Sequence, residues 1–234
     1  MLESLQLSKA FGKFQVLDRV SLTAEASQSV SVIGPNGSGK TTFLKCLLGL
    51  VLPDSGDLRL NGQSVLGQWD YRRHIGYMPQ IGRYPDNIRV GQLLDMVRET
   101  RRGTYGHLDD DLLQAFQIQG FAHKTMRALS GGMRQKVSAC LAFHFDPAVL
   151  ILDEPTAGLD PISSEILKEK VLAERAKGKL ILITSHILSD LDELTTHVLY
   201  LMEGKVQFFE PMETLKSRTG EEKLNRALAR IMRG

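Results

Sequence analysis

From Val30 to Leu48 the chain reads VSVIGPNGSGKTTFLKCLL, and few folds can carry that stretch. Val30, Val32 and Ile33 are β-branched and predict a short buried strand. Gly34-Pro35-Asn36-Gly37-Ser38-Gly39-Lys40-Thr41 follows with the spacing G-x-x-x-x-G-K-T, and a helix is predicted from near Lys40. Gly34, Gly37 and Gly39 lack a Cβ, so the loop can pass through positive φ and turn successive backbone N–H groups onto a phosphate chain. The helix N-terminus adds about half a positive charge. Lys40 can reach β- and γ-phosphates, the Thr41 hydroxyl can ligate the Mg²⁺ that bridges them, and Thr42 is placed for the α-phosphate. A glycine-rich turn with a chance lysine would not bring strand, loop and helix in this order. The stretch predicts a nucleoside triphosphate site.

Such a site needs an acid for the metal and a means of activating water. Val149-Leu150-Ile151-Leu152 is a continuous apolar run, the pattern of a parallel strand covered on both faces, and it delivers Asp153 and Glu154 at its carboxyl end. Asp153 suits a Mg²⁺ ligand and Glu154 a base that polarises the attacking water, where the plain alternative is a structural salt bridge. Leu180 to Thr184 predicts a second buried strand, ending at Thr184-Ser185-His186. A lone histidine is ordinarily a satisfied surface or core residue, but His186 follows the carboxyl end of a sheet strand, where ligands gather. His74, His107, His123, His144 and His197 show no metal-ligand spacing.

Leu129-Ser130-Gly131-Gly132-Met133-Arg134-Gln135 opens another helix, with an apolar stripe at Val137, Cys140, Leu141 and Phe145. Ser130 is a good N-cap. Two glycines in a first turn cost roughly 1 kcal/mol each relative to alanine, and close approach of a second anion would account for them. One chain's own triphosphate cannot occupy both this turn and the Gly34 to Thr41 loop. Further on, Ala157-Gly158-Leu159-Asp160-Pro161 turns into a helix with Asp160 as N-cap and Pro161 at the first helical position.

Around these motifs the chain reads as one domain, 1–234, of α/β class. Leu5 and Leu7, then Val20, Leu22 and Ala24, alternate with polar neighbours and predict an N-terminal antiparallel sheet; between them Phe11 could be plain core or an aromatic face for a purine. Pro53 to Gly56 breaks the chain, Leu58 to Leu60 and Ile75 to Met78 predict strands, and the latter ends at Pro79-Gln80. From there to about residue 146 an inserted helical subdomain is predicted, with Val90, Leu93, Leu94 and Val97 on one face and Leu112, Leu113 and Phe116 on another. Its Arg83, Arg89, Arg98, Arg101 and Arg102 read as a solvated face or a basic docking surface. Val198 to Met202 and Val206 to Phe209 predict a hairpin, and a short helical extension over about 212–234 closes the chain, with Thr219 and Glu222 as a capping box and Leu224, Leu228 and Ile231 on one face.

Composition excludes several classes. A net charge of +2 is too weak to imply nucleic acid, and no apolar run approaches the roughly 18 residues of a membrane span. The N-terminus MLESLQLSKAF lacks a signal peptide's charged start and apolar core, so a cytoplasmic chain is expected. Cys46 and Cys140 fall in different predicted helices without C-x-x-C spacing and read as reduced, packed thiols.

With these segments in place the chain resembles the ATP-binding cassette family, the nucleotide-binding subunits of ABC transporters, from Leu2 to about Met212. GPNGSGKTT is similar to the Walker A motif, Gln80 to the Q-loop, LSGGMRQ to the signature, VLILDEP to the Walker B motif, AGLD to the D-loop and His186 to the switch histidine. The resemblance implies a P-loop NTPase core with a mostly parallel sheet, an N-terminal antiparallel β-subdomain and an inserted α-helical subdomain. It implies a head-to-tail homodimer holding two ATP molecules between the Walker A of one subunit and the signature of the other. Gln80 would be a Mg²⁺ and water ligand linked to the helical subdomain, Phe11 would stack on adenine, and a separate transmembrane permease would hold the dimer on the cytoplasmic face of the inner membrane. Met133 stands where the signature usually has Gln, and Phe11 where Tyr is commoner; neither change removes a phosphate contact. Met133-Arg134-Gln135, Gly158-Leu159-Asp160-Pro161 and Ser185-His186-Ile187-Leu188 are similar to the ABC-2 branch. Within it the chain looks most like the copper-processing type of nitrous-oxide reductase maturation.

Other readings fit less. Soluble cassettes acting in translation carry two units in one chain, and those of DNA repair carry a long coiled coil between Walker A and signature; neither is present here. A small GTPase or kinase would leave Ser130-Gly131-Gly132 unexplained. A cassette that does not hydrolyse is disfavoured because Lys40, Gln80, Asp153, Glu154 and His186 are all in place.

Overall fold

The computed structural model describes residues 1–101, 103 and 107–233, of 232 and 233 the backbone alone; Arg102 and Gly234 lie outside the described residues. The chain runs β1 (Leu2–Phe11), β2 (Phe14–Ala24), β3 (Ser29–Ile33), α1 (Lys40–Leu47), β4 (Ser55–Leu60), β5 (Gln63–Ser64) and β6 (Ile75–Met78). It continues through α2 (Val90–Thr100), α3 (Asp111–Ala115), α4 (Gly131–Phe143), β7 (Val149–Asp153), α5 (Pro161–Ala176), β8 (Leu180–Thr184), α6 (Leu188–Leu194), β9 (His197–Met202), β10 (Lys205–Pro211), α7 (Met212–Thr219) and α8 (Leu224–Arg233).

Two sheets form. One is antiparallel, in the order β2-β1-β4-β5; the other has the order β10-β9-β3-β8-β7-β6, parallel throughout except where β10 folds back on β9. The continuous apolar runs divide by parity. Leu150 and Leu152 of β7 and Ile181 and Ile183 of β8 face a core shared with α2 to α8. Val149, Ile151, Leu180 and Leu182 face a second core with α1 and the antiparallel sheet. Covering both faces is what permits strands without polar alternation. Cys46 and Cys140 are free and buried, and burial pushes both thiols upward, Cys46 to about 11, so neither is a thiolate at neutral pH.

Several local expectations fail for identifiable reasons. In β1, Leu2 and Ser4 face inward while Leu5 is exposed; Gln6 adopts φ +49° in an irregularity of the β1–β2 ladder, which reverses the phase and buries Leu7. Leu5 and Leu7 therefore do not share a face. Helix α4 is not a striped surface helix, since Val137, Ser138, Ala139 and Cys140 are all buried, and Phe145 lies beyond its end. Thr219 does not cap α8. It is the last residue of α7, its hydroxyl donates to the carbonyls of Leu215 and Lys216, and the Leu224 N–H at the start of α8 instead donates to both carboxylate oxygens of Asp192 in α6, at 3.0 and 3.2 Å. Lys216 adds an ion pair to the same carboxylate at 2.9 Å. The arginines of the inserted segment are not simply a solvated face either: Arg98 donates to His144 Nε2 and pairs with Asp110, and the Arg101 guanidinium lies 4.8 Å from the centre of the Phe145 ring.

A buried ionic cluster joins this helical segment to the body. Lys170 of α5 reaches Asp109 and Asp111 at the start of α3, and also Glu174, which Lys177 and Lys179 contact as well. Glu174 is fully buried. Burial alone would raise its carboxyl pKa, but hydrogen bonds from Lys177, Lys179 and Lys170 outweigh it and hold the group down at about 2 against an ordinary 4.5. Because the folded value is depressed, the stabilisation is complete above about pH 4.5 and is lost as pH falls toward 2. Glu174→Gln keeps the volume but leaves three ammonium groups around a neutral amide, and is expected to cost about 3–5 kcal/mol in urea unfolding at pH 7. The gap between the two proteins should narrow as pH falls through that window; a gap that does not change with pH means the carboxylate charge is not the source.

Candidate nucleotide site

The parallel strands end together, and their carboxyl ends build a cleft of about 260 Å³ lined by Asn36, Gly37, Ser38, Gly39, Lys40, Thr41 and Thr42 after β3, Gln80 after β6, Asp153 and Glu154 after β7, and Thr184 and His186 after β8, with Val16 of β2 at its wall. The Gly34 to Thr41 loop is seated on its neighbours. Ser38 O accepts the Gly204 N–H at 3.1 Å from the β9–β10 turn. At Gly39, the residue before α1, φ is +103° and a Cβ would lie 2.6 Å from Val16 O, so only glycine fits. Lys40 Nζ donates to Gly34 O at 2.7 Å and Pro35 O at 3.0 Å. Partial burial lowers the pKa of its ammonium, opposed by the nearby Glu154 and Asp153 carboxylates.

The carboxylates are held from β8. Asp153 pairs with Thr184 in the parallel register. Thr184 Oγ1 donates to Asp153 Oδ1 at 2.5 Å, and the Glu154 N–H donates to Thr184 Oγ1 at 3.2 Å and Thr184 O at 3.0 Å. Glu154 sits at φ +53°, unusual for a non-glycine residue, and is buried. One of its oxygens accepts the His186 N–H at 3.0 Å; the other lies 3.4 Å from His186 Nε2, on a ring that is itself well exposed. Buried Gln135 of α4 donates to the carbonyls of Glu154 and Pro155, tying the signature helix to the same turn.

The cleft suits a triphosphate and a hard cation. Ser38 is buried and its Oγ has no partner among the described residues, a donor free for a phosphate oxygen. Thr41, Gln80 and Asp153 offer only oxygen and amide ligands, and no group of three or more His, Cys, Asp or Glu among the described residues could hold a metal alone. That is the donor set of a Mg²⁺ that takes its remaining ligands from phosphates and water.

Other expected residues lie elsewhere. Gly34 and Pro35 line a neighbouring, more apolar pocket with His186, Tyr200, Asn225 and Leu228. Phe11 is not core: it is 50% exposed at the end of β1, with Lys9 Nζ 5.4 Å from its ring centre, and is not among the cleft residues. Ser130, Gly131, Gly132 and Asp160 are also outside the cleft. Ser130 caps α4 by accepting the Met133 N–H, and Asp160 caps α5 by accepting the Ser163 hydroxyl and N–H while pairing with Lys136 at 3.0 Å, contacts that depress its carboxyl pKa. Gly132 has a reason internal to the chain, since a Cβ there would meet Gly158 O at 2.7 Å, whereas Gly131 faces open space. Val16 and Thr184 were not singled out by the motifs. The signal for Thr184 is a polar residue ending an apolar strand beside the two acids; for Val16 there is none.

Residues 17–157 match the family model described as ABC transporter. The chain belongs to the ABC transporter family. This cassette is 32% identical over 219 residues to the Nod factor export ATP-binding protein I of Ralstonia nicotianae, a match covering 92% of this chain and 68% of that one. It is 31% identical over 222 residues to the phospholipid-transporting ATPase ABCA3 of Homo sapiens, covering 92% of this chain and 13% of that protein. A solved ATP-binding subunit of an ABC transporter aligns at TM-score 0.88 and 26% identity over 99% of each chain. A dimeric cassette in a post-hydrolysis state with ADP and Pi aligns at TM-score 0.80 and 22% identity, over 91% of this chain and 99% of that one, a likeness of fold. As a member of this family the chain is an ATPase.

The two signature glycines are separable by stability. Gly132→Ala must displace the Gly158 carbonyl and is expected to cost about 1–3 kcal/mol. Gly131→Ala meets nothing and should leave the isolated subunit as stable or up to about 1 kcal/mol more so, from helix propensity. Equal melting temperatures for the two variants would remove the packing explanation for Gly132.

Proposed function

We propose that two copies of this chain close head to tail around two Mg²⁺-ATP molecules and drive a transmembrane permease made as a separate chain, at the cytoplasmic face of the inner membrane. The observation that carries this is the division of the motifs. One edge of the sheet gathers the phosphate loop, Gln80, Asp153, Glu154 and His186 in one cleft, while the second anion-binding turn, Ser130-Gly131-Gly132, lies outside it with Gly131 open to solvent. A second copy supplies what completes each site.

In this reading the backbone N–H groups of Asn36, Gly37 and Gly39, Ser38 Oγ and Lys40 hold the β- and γ-phosphates, and Thr42 holds the α-phosphate. Thr41, Gln80 and Asp153 hold the Mg²⁺, which neutralises charge developing on the phosphates when bound. Glu154 orients and polarises the attacking water, and His186, joined to Glu154 through its own N–H, touches the γ-phosphate from the next strand. The exposed face of Phe11 stacks on adenine, and Asp160 sits at the seam between the copies. Residues 1–234 act as one cassette, with the helical insertion over about 81–146 and the C-terminal extension over about 212–234. No helix among the described residues is long and apolar enough to cross a membrane. Ile81, 70% exposed directly after Gln80, borders a groove with Tyr84, Asp86, Met126 and Arg134, which suits an inserted segment of the permease. The copper-processing type within the ABC-2 branch rests on motif resemblance alone.

Glu154→Gln is expected to keep ATP affinity, lower turnover by at least about 10²-fold and trap an ATP-dependent dimer, measured by nucleotide binding, phosphate release and size-exclusion chromatography. Near-normal hydrolysis removes Glu154 from this role.

The shared site has its own test. Lys40→Ala disables the phosphate loop and Ser130→Arg the signature, so each homodimer should be inactive. Mixing the two creates heterodimers with one intact composite site, and part of the ATPase activity should return. If differently tagged chains copurify and no activity returns, the two-copy site is not as proposed.

A further inference from the structure

We infer that Thr184 is a positioning residue for hydrolysis, setting the working geometry of both carboxylates at the end of β7; the inference rests on the Mg²⁺-ATP reading of the cleft. Thr184 is buried and ends a strand whose preceding residues, Leu180 to Ile183, are all apolar. A hydroxyl there must be satisfied, and its partners are the two acids. A hydroxyl has one proton to give. Here the proton goes to Asp153 Oδ1, and the lone-pair side receives the Glu154 N–H. The directions of the two bonds are thereby fixed together.

Each bond has a consequence. Rotation of an aspartate carboxylate about its last torsion is soft and roughly two-fold. Engaging Oδ1 pins that rotation in a carboxylate that lines the cleft. Glu154 stands at a left-handed φ that costs about 1 kcal/mol or more for a residue with a Cβ, and its N–H is held by both the hydroxyl and the carbonyl of Thr184. The hydroxyl thus stabilises the backbone turn that points Glu154 at His186, and at the same time orients the metal ligand next to it. A merely structural threonine would fill space in the strand, and valine would do that equally well.

The test uses the full chain and separates the hydroxyl from the shape. Thr184→Val keeps the branched outline and removes the hydroxyl; Thr184→Ser keeps the hydroxyl and removes the methyl. ATP affinity is titrated calorimetrically with Mg²⁺ and again with EDTA, and Mn²⁺ is followed by electron paramagnetic resonance in the presence of ATP. For Thr184→Val the gain in ATP affinity due to Mg²⁺ and the affinity for Mn²⁺ should fall about 10–100-fold, kcat should fall by a similar factor, and metal-free ATP affinity should stay within about twofold. Thr184→Ser should recover most of each loss. The inference is overturned if Thr184→Val keeps the metal-dependent gain and Mn²⁺ affinity, or if the serine variant is as impaired as the valine one. Should the valine chain fail to fold, judged by its melting curve, Thr184→Ala carries the same expectation. If the unaltered chain shows no metal-dependent gain in ATP affinity, the Mg²⁺-ATP reading itself fails.

Discussion

Parallel pairing is the constraint on which this molecule depends. Strands that run the same way must all end at the same edge, and β3, β6, β7 and β8 are such strands. Each of them is followed within three residues by one that lines the cleft: Asn36, Gln80, Glu154 and His186. Residues far apart in the chain therefore meet in one cleft, at the carboxyl edge where open α/β sheets place their ligands. Their relative positions follow from ladder register rather than from long side chains reaching out: Asp153 stands beside Thr184 because Leu152 stands beside Ile183. The apolar parity of β7 and β8, which feeds one core on each side of the sheet, keeps that register from slipping by one residue.

Much of this was legible in the sequence wherever the backbone does what the local pattern demands. The strand, loop and helix around Lys40, the acids at the end of β7, and the Asp160-Pro161 helix start all require no information beyond a few neighbours. Expectations failed where a distant partner decides. Leu5 and Leu7 have the spacing of one face, yet a bulge at Gln6 reverses the strand. Thr219 and Glu222 have the spacing of a capping box, yet the carboxylate of Asp192, on another helix, satisfies α8. Gly132 reads as a glycine kept for an anion, and the Gly158 carbonyl gives it a second reason that the sequence did not show. Thr184 carried no motif at all, because its importance lies in a strand pairing that no short window contains.

The helical insertion is attached to the sheet by two unlike means. Near the cleft, Gln135 gives hydrogen bonds to the turn that bears Glu154. At the start of α3, the attachment is ionic and buried, through Lys170, Asp109 and Glu174. A buried ionic contact is costly to break and specific in direction, so it suits a fixed end. The insertion is thus tied to the body at both places, by charge at α3 and by neutral hydrogen bonds beside Glu154.

The position of β3 has a consequence for how the chain is made. Within its sheet β3 pairs with β8 on one edge and β9 on the other, both synthesised long after it, so the strand that supports the phosphate loop leaves the ribosome with both edges open. Its ladder cannot close until the residues through β9 have emerged, the slow, non-local kind of pairing that exposes an apolar edge during synthesis. The antiparallel sheet has no such delay, because β1, β2, β4 and β5 are all near the N-terminus. A nascent chain therefore acquires its first sheet early, and becomes able to hold nucleotide only after β8 and β9 have emerged.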